Sequence, residues 1–120
     1  MKILVIEDDE DCLFLLEKIL AHPGYDLIIA KTGEEGILQG DKEIYDLALV
    51  DISLPDKNGV DVAKYLRRVK GEYFPIIAMT GYAKEFFLAK HLEAANIFTD
   101  ILLKPFHRKD LMKILHEDLF

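Results

Sequence analysis

The chain has one cysteine, no tryptophan, four histidines and no long apolar run, and each scarcity removes a class of protein. With Cys12 alone, no internal disulfide forms and no cysteine-based zinc site can be built, so a reducing, cytoplasmic setting is expected. Cys12 itself is expected in a helix core. Met1-Lys2-Ile3-Leu4-Val5-Ile6 stops at Glu7, too short for a secretory signal or a membrane span, so no membrane partner is expected. A formal net charge of −7 argues against direct nucleic-acid binding, which needs a basic patch. His22, His91, His107 and His116 share no metal-ligand or phosphotransfer spacing and are expected at the surface.

Of the 120 residues, 51% are hydrophobic, enough for one buried core, and residues 1–120 are expected to form one domain. No repeat, low-complexity stretch or linker interrupts them. Short apolar runs alternate with helical patterns. Lys2 to Ile6 predicts a strand, and Glu10 to Ala21 a helix with Cys12, Leu15, Leu16 and Ile19 on one face. Tyr25 to Ala30 predicts a second strand. Thr32-Gly33-Glu34-Glu35 has the form of a capping box opening a short helix through Ile37 and Leu38. Asp46 to Val50 and Pro75 to Met79 predict the third and fourth strands, separated by a helix opened by Asn58-Gly59 with Val62, Leu66 and Val69 at helical spacing. A fourth helix carries Phe86 and Phe87, which are expected in the core together with Phe98. A fifth strand falls between Ile97 and Leu103, and Leu111, Ile114 and Leu115 line the inner face of a closing helix.

Strands alternating with helices imply a parallel sheet joined by right-handed crossovers, and the continuous apolar runs imply burial on both faces. The fold class is therefore α/β, a doubly wound three-layer sandwich. Ligands of such sheets bind beyond the carboxyl ends of the strands. The residues just past the apolar runs are Glu7 and Asp8, then Asp51, Thr80 and Lys104. Taken singly, an acid, hydroxyl or amine at a strand end is a cap or a solvated loop residue. Taken together on one rim, they describe a site. With the first and third strands adjacent, Asp8 and Asp51 lie about 5 Å apart. Carboxylates that close raise one another's pKa unless a cation neutralises them, and an all-oxygen donor set suits a hard ion such as magnesium. Lys104 is long enough to reach back and bind phosphate oxygens. Such a site supports phosphoryl transfer to an aspartate, while the spacing leaves open which carboxylate is the acceptor.

These motifs resemble the response-regulator receiver family over essentially the whole chain. Ile3-Leu4-Val5-Ile6-Glu7-Asp8-Asp9 resembles its first strand and acidic pair. Asp46-Leu47-Ala48-Leu49-Val50-Asp51-Ile52-Ser53-Leu54-Pro55-Asp56-Lys57-Asn58-Gly59 resembles its phosphoacceptor strand and following loop. Met79-Thr80-Gly81 and Lys104-Pro105-Phe106 are similar to its switch and lysine motifs. The resemblance implies strand order 2-1-3-4-5, Asp51 as phosphoacceptor, and Thr80 and Lys104 as its helpers. It implies magnesium held by Asp8, Asp51 and the Ser53 carbonyl, with Glu7 acting through a water. Asp9 is then a helix-start charge, and Lys104-Pro105 is a cis peptide.

The partners implied are a sensor histidine kinase or histidine phosphotransfer protein that donates the phosphoryl group, and a downstream output domain or protein, with a homodimer possible on activation. The chain is not expected to be an enzyme beyond promoting its own phosphorylation and dephosphorylation. Two departures from the family stand out. Position 101 usually carries an aromatic and here is Ile101, and the segment Ala94 to Asp100 is about two residues longer than usual. Either Phe98 takes the aromatic role, or coupling from Thr80 to the surface runs differently. Three rival readings are weaker. An aspartyl-phosphate hydrolase wants a second acid where Ser53 stands. An unphosphorylated interaction module would have lost a site residue. A flavin domain would have a Ser/Thr/Gly-rich loop after the first strand.

Overall fold

The computed structural model describes the backbone of residues 1–118 and the side chains of residues 1–116. Five strands, β1 (Lys2–Ile6), β2 (Asp26–Ala30), β3 (Leu47–Asp51), β4 (Ile76–Thr80) and β5 (Asp100–Leu103), form one sheet in the order β2-β1-β3-β4-β5. All four pairings are parallel. Among the described residues, six helices connect and cover the strands: α1 (Glu10–Ile19), α2 (Gly33–Lys42), α3 (Gly59–Lys70), α4 (Lys84–Lys90), α5 (Ala94–Ile97) and α6 (Arg108–Asp118).

Successive side chains of a strand point to opposite faces, and this alternation divides the core in two. Leu4, Ile6, Ala48, Val50, Ile76 and Ala78 face the layer of α2, α3, α4 and α5, where Val62, Leu66, Phe87 and Phe98 meet them. Ile3, Val5, Leu49, Ile77 and Met79 face α1 and α6, against Leu13, Leu16, Leu111 and Leu115. β1, β3 and β4 are buried on both sides, which is why their sequences are apolar without interruption.

The structure moves several expected details. The inner face of α1 is Cys12, Leu13, Leu16 and Ile19; Leu13 takes the buried place expected for Leu15, which is only partly covered. α2 continues to Lys42 and leaves Leu38 exposed. Val69 is exposed where α3 runs out at Gly71, whose φ of 98° suits glycine. Phe86 is 55% exposed, whereas Phe87 and Phe98 are core. His91 is half-buried with its ring 5.1 Å from that of Phe87, a placement no spacing rule exposes.

α5 has only four residues, too short to show a helical period in the sequence, and it lies in the segment leading into β5. Arg67 holds this region to α3. Its guanidinium donates to the carbonyls of Gly71 (2.9 Å), Phe74 (2.5 Å) and Ile97 (3.0 Å from Nε). Burial pushes its pKa down, and these backbone carbonyls accept from its guanidinium.

Candidate functional site

Parallel pairing in register brings the ends of β1, β3, β4 and β5 to one rim. Ile6 pairs with Val50, Asp51 with Met79, and Thr80 with Leu103. The next residues after β1 and β5 are therefore Glu7 and Lys104, Asp51 and Thr80 end β3 and β4, and Ser53, two residues past Asp51, donates its N–H to Asp51 Oδ1 at 3.2 Å. Carboxylate oxygens of Glu7, Asp8 and Asp51 lie within 4.8 Å of one another. Lys104 Nζ forms an ion pair with Glu7 and stands 3.6 Å from Asp51 Oδ1. Thr80 is buried at the end of β4, and its Oγ1 accepts from the Tyr82 N–H at 3.1 Å.

Glu7 has no solvent exposure, and its burial is compensated donor by donor. Oε2 accepts from the N–H groups of Asp8 (3.0 Å) and Asp9 (3.2 Å), where the chain turns into α1. Burial pushes Glu7 up, but hydrogen bonds to Asp51, Lys104 and Cys12, with the Lys104 charge, outweigh it and hold the carboxyl below its ordinary value. Asp51, 6% exposed, goes the other way. Burial and then the hydrogen bond and charge of Glu7 push it up to about 6, against the pull of Lys104 and of the Ser53 N–H at 3.2 Å. Their interaction thus drives the two carboxyls apart, Glu7 held below its ordinary value and Asp51 above it. Burial lowers the Lys104 pKa, but Glu7 and Asp51 more than offset it and the ammonium is held above its usual range.

This donor set fits a hard divalent cation. The three clustered carboxylates supply oxygen only. Cys12 does not compete, because burial and the neighbouring Glu7 push its thiol up to about 12 and keep it protonated. Asp8 is exposed, giving such an ion an approach from solvent.

Residues 52–58 form the loop between Asp51 and α3. Ser53 and Asn58 bridge across it, and the Gly59 N–H donates to the Ile52 carbonyl at 2.9 Å. Asn58 caps α3 by accepting from Val60 N at 2.8 Å, and Asp9 caps α1 by accepting from Cys12 N at 3.1 Å, as its helix-start position implies. Lys104-Pro105 is cis. Beside Lys104 a hollow of about 370 Å³ opens between Cys12 and Leu15 of α1 and Pro105-Phe106.

Sequence reasoning missed Asp56, which joins the β3–α3 loop to the start of α2, 23 residues away. An acid after proline in a loop carries no signal of such a partner. On the Phe98 alternative, the structure shows Phe98 8% exposed with its ring 5.9 Å from Phe87, inside the core, and Ile101 half-buried beside it.

A family model described as response regulator receiver domain matches residues 3–116. Among curated proteins, the alkaline phosphatase synthesis transcriptional regulatory protein PhoP of Bacillus subtilis is 37% identical over 110 residues, covering 92% of this chain and 45% of that protein. The transcriptional regulatory protein CpxR of Escherichia coli is 35% identical over 92% of this chain and 46% of its own length. This chain thus spans less than half of these relatives. Among solved structures, the CheY-like receiver domain protein of Methanospirillum hungatei superposes with a TM-score of 0.86 at 30% identity, covering 98% of this chain and 92% of that one. The receiver domain of sensor histidine kinase PA1611 of Pseudomonas aeruginosa superposes at 0.85 with 29% identity, covering 98% and 96%; its crystal structure has a magnesium ion coordinated in the active-site cleft.

Proposed function

The chain belongs to the response regulator receiver family, whose function is phosphoryl acceptance in two-component signalling, and from that premise we propose that Asp51 is the acceptor and that Glu7, Asp8, Thr80, Lys104 and the Ser53 backbone serve it. The observation that carries this reading is the convergence of three carboxylates within 4.8 Å with Lys104 Nζ 3.6 Å from Asp51. Receiver domains bind magnesium in an acidic site, and here Asp8, Asp51 and the Ser53 carbonyl would hold it, with Glu7 contributing through water. When bound, the ion offsets charge on the transferring group.

The protein's own groups then divide the work. Asp51 acts as the carboxylate, the form it takes above a pH of about 6. One Asp51 oxygen bonds to phosphorus as the bond from phosphorus to the donor's imidazole nitrogen breaks, and the imidazole departs with that electron pair. Lys104, already charged and lying between Glu7 and Asp51, meets an oxygen of the arriving group. Thr80 offers a hydroxyl from the adjacent strand end. No outside substrate is turned over; the chain acts on itself.

The donor would be a phosphohistidine on a sensor kinase or phosphotransfer protein, and the reader a downstream output domain or protein. The exposed pair Tyr82 and Phe86, with ring centroids 5.2 Å apart at the start of α4, lies on the side where Thr80 would report the change. No helix among the described residues is long and apolar enough to cross a membrane.

The reading is tested by incubating the protein with magnesium and acetyl phosphate and measuring intact mass. One added phosphoryl group is expected, and none with Asp51→Asn or without metal. An unchanged wild-type mass rejects the reading, and turnover of unrelated phosphomonoesters replaces it with a hydrolase.

A further inference from the structure

The loop carrying Ser53 is held at two places. Its base is closed by the Ser53–Asn58 bridge and by the Gly59 N–H on the Ile52 carbonyl at 2.9 Å. Its tip is held from outside: Asp56 Oδ1 accepts from Gly33 N at 2.7 Å and Oδ2 from Glu34 N at 3.0 Å, both at the first turn of α2. Lys57 Nζ adds an ion pair to Glu34 at 3.6 Å. The two bodies are seated without a gap, since a Cβ on Gly33 would stand 2.9 Å from Val62 Cγ2 and 3.1 Å from Lys57 Cβ.

α2 does not need this carboxylate to begin. Thr32 already caps it by accepting from Glu35 N at 3.0 Å, and Glu35 accepts in turn from Lys31 N at 3.2 Å. The loop has much more to gain. Ser53, Pro55, Asp56, Lys57 and Asn58 are exposed and Leu54 is only half-buried, so little apolar contact fixes its backbone.

The geometry points to Asp56 as a positioning residue for the metal and phosphoryl chemistry. By clamping the loop tip to the start of α2, it holds the Ser53 segment in the conformation that turns its N–H toward Asp51 and leaves its carbonyl for the cation. A loop ordered in advance spares the ion that cost on binding. The inference rests on the proposed magnesium site at Asp8 and Asp51.

Magnesium is titrated calorimetrically into wild type, Asp56→Ala, Asp56→Asn and Thr32→Ala, with metal-free unfolding followed in parallel. Asp56→Ala is expected to bind magnesium about 10-fold more weakly, as loss of a partner that orients a ligand does elsewhere. Its phosphorylation by acetyl phosphate slows at low magnesium and recovers at saturation. Asp56→Asn, whose amide oxygen still accepts one N–H, falls between. Thr32→Ala removes a cap from the same helix and loses comparable stability, but keeps wild-type magnesium affinity. Should Asp56→Ala not fold, Gly33→Ala, which pushes α2 off the loop from the other side, weakens magnesium in its place. Wild-type affinity in folded Asp56→Ala, or an equal loss in Thr32→Ala, overturns the proposal while leaving the site reading intact. A wild type that binds no magnesium overturns both.

Discussion

The helices around the rim and the helices beside it begin in different ways. α1, α2 and α3 each start on a side chain that accepts a backbone N–H: Asp9 from Cys12, Thr32 from Glu35 and Asn58 from Val60. α4 and α5 start at Ala83 and Glu93 with no side-chain cap bond, and they run for seven and four residues. α4 buries only Phe87, while Tyr82, Phe86 and Leu92 around it are exposed. A cap is worth about 1 kcal/mol, and a helix this short has little else of its own to hold it. The half of the molecule that would do the chemistry is over-determined. The half that would signal the result is held lightly, and a lightly held segment is one that a small change at Thr80 is able to re-weight.

The contrast breaks most visibly at two glycines. A Cβ on Gly59 would stand 2.1 Å from the Asp51 carbonyl oxygen and 2.7 Å from Ile52 Cα, both backbone atoms of the acceptor strand and its loop. Gly59→Ala is expected to lose about 3 kcal/mol or more, because neither partner can rotate away. At Gly81, just past β4 and before α4, an added Cβ meets nothing within 4 Å. Gly81→Ala is expected to stay within about 0.5 kcal/mol of wild type. Urea unfolding of both variants measures the gap. Equal losses would mean that the two regions do not differ in rigidity.

A second difference is electrical. Buried charge is concentrated on the rim, and with Asp51 pushed up to about 6 the proposed magnesium binding is expected to depend on pH. A raised carboxyl pKa means that ionising Asp51 costs stability in the folded, metal-free protein. That cost is absent below the ordinary value of 3.8, grows as pH rises toward 6 and is constant above it. A cation removes it by replacing the proton. Magnesium affinity is therefore expected to be flat above pH 7 and to fall by up to about 10-fold per pH unit below 6. The gain in melting temperature at fixed magnesium shrinks in parallel. Lys104, held above its usual range, stays charged throughout. Calorimetric titration between pH 5 and 8 checks this, and an affinity independent of pH would place the site proton elsewhere.

The two regions also differ in how much of them the sequence exposes to reading. β1, β3 and β4 are buried on both faces, so their apolar runs are unbroken and the residues that follow fall on one rim by register alone. Asp9, Thr32 and Asn58 announce their helices because capping is local chemistry. The same logic fails past β4. Phe86 and Phe87 are adjacent aromatics in the sequence, yet one is 55% exposed and the other fully buried, a distinction set by the rotation of a helix too short to show a period. α5 leaves no periodic signal for the same reason. Asp56 and Arg67 were invisible because their partners are backbone groups distant in the chain, Gly33 and Ile97, and backbone atoms leave no trace in residue identity.

The smallest effect tests whether weak holding of α4 is what the contrast describes. Ala83 has φ −55° and ψ 147°, near the backbone of the caps Asp9 and Asn58, but its methyl group accepts nothing. Its carbonyl already accepts from Phe87 N at 2.9 Å, so the first turn is formed and lacks only the side-chain oxygen. Ala83→Ser supplies that oxygen without altering the core. It is expected to stabilise the protein by about 0.5 to 1 kcal/mol. Amide exchange should slow across residues 84–90 and not in α1 or α3. Ala83→Val, which adds no acceptor and is as poor a cap as alanine, should leave that exchange unchanged. If Ala83→Ser raises global stability while the α4 amides exchange as fast as before, the segment is not limited by its missing cap, and the contrast with α1, α2 and α3 would have to rest on burial alone.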